Sequence, residues 1–156
     1  MDLKKIAVFV GLVLLVSGFL QGCSRSAGNT LDSARLISGW YEKEDGFRWM
    51  AKTAKADFKV GHLGKLHIEG TIMPKVYEQI YNKKIELRAF LDDKVAATFT
   101  LPEGDFIFEK EVSDQVKGKV MVTLRLELNK SFIPSSLGLS SDQRELGVMI
   151  RNVILK

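Results

Sequence analysis

Val120, Val122, Leu124, Leu126 and Leu128 alternate with Lys119, Thr123, Arg125 and Glu127. Successive side chains of a strand point to opposite faces, so this run predicts a strand with one apolar and one wet face. The pattern recurs. Ala54, Ala56, Phe58 and Val60 oppose Lys55, Asp57 and Lys59, and Leu66, Ile68, Gly70 and Ile72 oppose His67, Glu69 and Thr71. Ile85 to Leu91 and Val95 to Leu101 repeat it, while Leu36–Tyr41, Phe47–Met50 and Phe106–Val112 are shorter candidates. The last strand begins at Leu146, Val148 and Ile150, then shifts phase near Arg151-Asn152 to Val153 and Leu155, which predicts a bulge. Asp45-Gly46 and Asp92-Asp93 are tight-turn signals, as are Gly61-His62-Leu63-Gly64 and Pro102-Glu103-Gly104. Pro74 ends a strand, since it has no N–H for a ladder. Val76, Tyr77, Ile80 and Tyr81 share one side of a short helical turn within Lys75–Lys83. Asn129 to Arg144 is a Ser/Gly/Pro loop longer than a hairpin needs, and long loops often carry function. About eight or nine short strands with turns at regular spacing predict an all-β fold, an antiparallel β-sandwich of jelly-roll type.

The N-terminus follows a different rule. Met1-Asp2-Leu3-Lys4-Lys5 is basic, Ile6 to Val16 is apolar, and Ser17-Gly18-Phe19 brings small residues to the exit. Those are the three parts of a secretory signal. The apolar run is shorter than the ~20 residues of a permanent membrane span. Leu20-Gln21-Gly22-Cys23 then resembles the lipobox of bacterial lipoproteins, with Leu20 and Gly22 at the matching places and Gln21 a departure. The resemblance implies diacylglycerol on the Cys23 sulfur, cleavage after Gly22, and acylation of the new amine with a palmitate-like chain. Two or three chains hold a protein firmly, because each buried CH₂ adds about 0.8 kcal/mol. Ser24 stands where an Asp retains some lipoproteins in the inner membrane. The implied location is therefore the cell envelope, lipid-anchored on the outer membrane and facing the periplasm. The expected organisation is a signal-peptide helix over residues 1–22, a flexible tether over 23–33 rich in Ser, Gly and Asn, and a β-sandwich over 34–156.

Residues 23–156 suffice for one domain that buries roughly two-thirds of its unfolded surface. Cys23 is the only cysteine, so the domain has no disulfide. The chain carries 23 basic and 19 acidic residues, and the excess is scattered rather than gathered in a run that would track a nucleic acid. Nucleic acid is not an expected partner.

Two separated clusters stand out. Ser38-Gly39-Trp40-Tyr41-Glu42 and Phe47-Arg48-Trp49-Met50 lie near the start, and Ser131-Phe132-Ile133-Pro134 with Asp142-Gln143-Arg144-Glu145-Leu146-Gly147-Val148 lie near the end. Together they resemble a β-sandwich domain found at the ends of some bacterial glycosyltransferases and in small envelope proteins, similar to the galactose-binding-like jelly rolls. The resemblance covers nearly all of the mature chain. It implies a jelly roll with a tie to glycans and transfers no ligand. Physically, Trp40, Tyr41 and Trp49 offer apolar area with a polar handle, and Arg48 and Arg144 offer planar forks for carboxylates such as Glu42 and Asp142. Two uses fit these residues. They pack the core and tie the long loop to the following strand, or they stack on and hydrogen-bond a sugar. Either use brings the two clusters together in space.

The sequence offers little for catalysis. His62 and His67 are the only histidines, five apart across a turn, and are expected to face solvent. The serines of the long loop lack a Gly-x-Ser-x-Gly elbow, and no Gly-rich phosphate loop or metal-ligand spacing is present. The expectation is a non-enzymatic envelope lipoprotein without cofactor or metal that binds polysaccharide. The alternative is a structural or assembly lipoprotein that binds another envelope protein.

Overall fold

The computed structural model describes residues 28–156. The signal peptide, the lipobox and Cys23 lie outside the described residues. Eight strands follow in order: β1 (Arg35–Glu44), β2 (Phe47–Lys59), β3 (Lys65–Ile72), β4 (Glu86–Leu91), β5 (Lys94–Thr100), β6 (Gly104–Glu111), β7 (Met121–Leu128) and β8 (Met149–Leu155). All pairings are antiparallel, in the order β5-β4-β7-β2-β8-β3-β6, with β1 alongside β2. The fold is an antiparallel β-sandwich, as the alternation predicts. Its core unites the inward faces of both layers, including Met50, Phe58, Ile68, Leu87, Leu124, Leu126, Ile150 and Val153.

Strand β2 joins the two layers. Its first residues pair with β8 (Arg48 opposite Ile150, Trp49 opposite Met149), and its later residues pair with β7 from Thr53 to Lys59. Between them the strand bulges: two steps along β1, from Ser38 to Trp40, face five along β2, from Lys55 to Met50. The sequence suggests two strands here, because Lys52 and Thr53 are exposed in the middle of the run and mimic a turn. They are one strand that changes layers.

The bulge explains Gly39. Its φ is +74°, and an added Cβ would lie 1.9 Å from the Thr53 carbonyl oxygen, so β1 follows the kink only with glycine there. The hairpin turn is the predicted one, with Asp45 and Gly46 both at positive φ.

Three other expectations change. Gly28–Ser33, expected as tether, belongs to the domain. The Leu31 amide donates to Val153 O at 2.7 Å, the Leu155 amide to Asn29 O at 2.8 Å, and the Lys59 amide to Gly28 O at 2.8 Å. Leu31 itself is only 2% exposed, an apolar side chain that had a core to enter. In β5 a bulge at Ala96 reverses the facing residues, so Ala96 is buried and Val95 exposed. Val120 precedes β7 and is 72% exposed. The predicted bulge at Arg151 is present, since Glu69 and Gly70 face Asn152 and Ile150 with Arg151 left over. The helical turn is also present as a π-helical turn, Val76–Ile80, which sets Val76 and Tyr81 into the core.

The long loop is built rather than loose. Its middle forms a 3₁₀ turn, Pro134–Leu137, and Phe132 and Leu146 exchange both backbone hydrogen bonds at its base.

Candidate functional site

The two clusters meet. The Tyr41 hydroxyl donates to Glu145 O at 2.9 Å, across 104 residues of chain. The Arg144 guanidinium lies over the Tyr41 ring with its central carbon 5.2 Å from the ring centroid. Arg144 Nη1 donates to Glu44 Oε1 at 2.7 Å, which fastens the long loop to the end of β1. Asp142 grips the same guanidinium from the side, accepting from Nε at 3.0 Å and Nη2 at 2.8 Å. It also accepts the Arg144 backbone amide at 2.9 Å. The hydrogen bonds from Arg144 hold the Asp142 carboxyl below its usual range. Those from Asp142 and Glu44 push the Arg144 pKa up.

The forks pair as expected for Asp142 with Arg144. Glu42 is different: Arg144 takes Glu44 instead, and Glu42 is exposed, with no ion pair among the described residues. The β1–β2 register shifts again between Trp40 and Lys43, beside Glu42. Arg48 donates from Nη1 to Tyr41 O at 3.1 Å and lies 3.8 Å from Asp32, so it braces β1 from beneath.

The two tryptophans go to different places. Trp49 is 8% exposed and packs edge-on against Phe47 and Phe132, at 6.2 and 6.3 Å between centroids. It is a core residue, and Phe132 continues the chain of rings to Tyr81 at 6.1 Å. Trp40 is half-buried, and its Nε1 donates to Lys55 O at 2.9 Å, filling the bulge of β2. Of the aromatic candidates, Tyr41 alone shares the surface corner with Arg144 and Glu44.

The corner offers a specific set of groups. Asp142 and Glu44 occupy three of the five guanidinium N–H groups, leaving one on each Nη. A fixed planar donor, an aromatic ring and the Glu44 carboxylate thus lie together on a partly exposed surface. The arrangement suits paired hydroxyls, which accept from the donor and donate to the carboxylate.

Two polar centres escaped the sequence reading. Asp57, placed on the polar face by alternation, is 7% exposed. Burial pushes its pKa up, but hydrogen bonds from Thr123 and Arg35 outweigh that and leave it below the usual carboxylate range. Only the pairing of β1 and β7 on either side of β2 reveals this, and sequence alternation carries no such signal. His67 is half-buried rather than solvent-facing, with Nδ1 3.1 Å from Glu109 Oε1. Glu109 also accepts from Lys156 Nζ at 2.8 Å. Among the described residues no cluster of three His, Cys, Asp or Glu side chains is arranged to hold a metal.

No family model and no curated protein matches the sequence. Among solved structures, the chain is similar to an exo-β-1,3-galactanase from Phanerochaete chrysosporium crystallised with β-1,3-galactotriose. The TM-score is 0.45 and the identity 6%, over 83% of this chain and 29% of that one. The chain therefore spans less than a third of that enzyme's length, and at this level of similarity the match carries no argument about function.

Proposed function

We propose that this protein is a lipid-anchored, non-catalytic module of the bacterial envelope that binds polysaccharide at the Tyr41–Arg144 corner. The observation that carries the reading is the clamp on Arg144. Asp142 and Glu44 fix the guanidinium over Tyr41 and leave two N–H groups for a ligand. Preorganised polar groups beside an aromatic ring lose little freedom on binding. The same clamp argues against acid–base chemistry. Asp142 is held ionised by Arg144, whereas a general acid needs its proton near neutral pH. His67 pairs with Glu109 on the β3–β6 ladder, away from this corner.

A shallow site of one ring and a few hydrogen bonds corresponds to micromolar to millimolar affinity, about −8 to −4 kcal/mol. Anchoring through Cys23 raises the effective strength, because many tethered copies meet one repeating polymer. The test is a pull-down of host polysaccharide with the detergent-extracted full chain, beside Arg144→Ala and Tyr41→Ala variants with unchanged circular dichroism. Binding by the parent and its loss in both variants is expected. No polysaccharide bound, with one protein partner recovered instead, would favour the second reading, an assembly lipoprotein. That reading has its own observation: Ile133, Leu137 and Leu139 of the long loop are exposed, the latter two bordering a groove with Val76 and Ile80.

A further inference from the structure

The thirteen residues of β2 run from the Arg144 corner to the other end of the sandwich, roughly 40 Å for an extended strand. At that far end the described chain begins, with Gly28 held by the Lys59 amide. Two grooves flank the Gly61–Gly64 turn there. One, of about 470 Å³, is lined by Leu63, Lys117 and Lys119, and the other, of about 530 Å³, opens onto Gly28, Asn29 and Lys59. Leu63, 63% exposed, lines both, Val120, 72% exposed, follows Lys119 of the first and accepts the Val60 amide, and Lys59 and Lys117 are exposed. Lys119 pairs with Asp92 at 2.7 Å, and Asp114 is the acidic residue in the first groove.

We infer that this pole docks on an anionic phospholipid surface, with Leu63 and Val120 entering the headgroup layer and Lys59 and Lys117 meeting lipid phosphates. The inference rests on the anchoring reading in one respect, the position of Cys23. The five residue steps from Cys23 to Gly28 reach at most about 18 Å. Acyl chains on Cys23 therefore keep the pole beside the headgroups, a layer about 5–7 Å deep on each side of the hydrocarbon. Isolated apolar tips set among lysines are the composition of an interfacial contact, and anionic lipid attracts lysines within a Debye length. Docking in this pose stands β2 away from the membrane and presents Tyr41 and Arg144 at the distal end.

The experiment uses the full chain carrying Val120→Cys or Ser136→Cys, the latter on the long loop beside Asp142. Each is labelled with an environment-sensitive fluorophore and reconstituted into vesicles of phosphatidylcholine alone or with phosphatidylglycerol. The expected result is a blue shift at position 120 in the anionic vesicles, its loss near 1 M salt, where the Debye length is about 3 Å, and no shift at position 136. Lys59→Glu with Lys117→Glu should abolish the shift without releasing the protein from the membrane. Aqueous emission at both positions, or equal shifts at both, would overturn the docking. Mass spectrometry of Cys23 reads the anchoring separately. An unmodified cysteine would refute the anchor, and the same labelled chains with Cys23→Ser, added to vesicles, would still decide the docking.

Discussion

Leu31→Ala tests whether the segment before β1 is part of the domain. The substitution removes three carbons from a side chain that is 2% exposed. At about 0.8 kcal/mol per buried carbon group, transfer alone accounts for about 2.4 kcal/mol. Buried Leu→Ala changes range over about 2–5 kcal/mol once the cavity is included. The lower part of that range applies here. Gly28–Ser33 is a terminal segment, so it can detach from β8 once its docking is worth less than its lost freedom, and the loss stops growing there. The expected destabilisation is therefore about 2–3 kcal/mol, which lowers Tm by roughly 8–12 °C for a domain of this size. Guanidinium unfolding followed by tryptophan fluorescence measures it, with the midpoint moving and the slope almost unchanged. Leu63→Ala, at an exposed position, is the control and should stay within about 0.5 kcal/mol. A Leu31→Ala loss below about 1 kcal/mol would refute the reasoning and return the segment to the tether.

Gly39→Ala should be much more damaging than Gly46→Ala. Both place a Cβ at positive φ, which costs about 1–2 kcal/mol, but only at Gly39 does that Cβ strike backbone, the Thr53 carbonyl. Equal losses in the two melts would show that the close approach is not real. Glu109 gives the pH dependence. Hydrogen bonds from Lys156 and His67 lower its pKa to about 2. A carboxylate whose pKa is depressed by folding stabilises the protein above its unfolded pKa, near 4.3, and that contribution is lost as pH falls from there through about 2. Stability against pH for Glu109→Gln should therefore be flatter than the parent's in that window, and parallel curves would contradict the assignment.

The strands with one uninterrupted face were legible because burial of that face fixes their register. Leu87, Ala89 and Leu91, and Val122, Leu124, Leu126 and Leu128, all point inward as alternation predicts. Where a strand bulges, alternation misleads. Ala51–Thr53 reads as a break because the extra residues oppose nothing in β1, and Val95 reads as core because the bulge at Ala96 is set by its partner β4. The meeting of the end clusters followed from the jelly-roll expectation, but the partner of Arg144 did not. Choosing Glu44 over Glu42 depends on a register shift between Trp40 and Lys43. Trp49 and Tyr41 look alike in a sequence, and packing against Phe47 and against Phe132, which arrives from the long loop, makes Trp49 core.

The way Gly28–Leu31 joins the domain has a mechanical consequence. If the proposed anchor and polymer site both hold, the protein would carry tension between the membrane and the polymer. That tension would run nearly along the strands, because Gly28 sits at the end of β2 opposite Arg144. The bonds from Lys59 to Gly28, from Val153 to Leu31 and from Leu155 to Asn29 cross the line of pull. They are loaded together in shear and must fail at once, whereas a hairpin pulled open from its tip loses one bond at a time. Leu31, seated behind them, works as a wedge in that clamp, and the first event under load is the withdrawal of its side chain from the core.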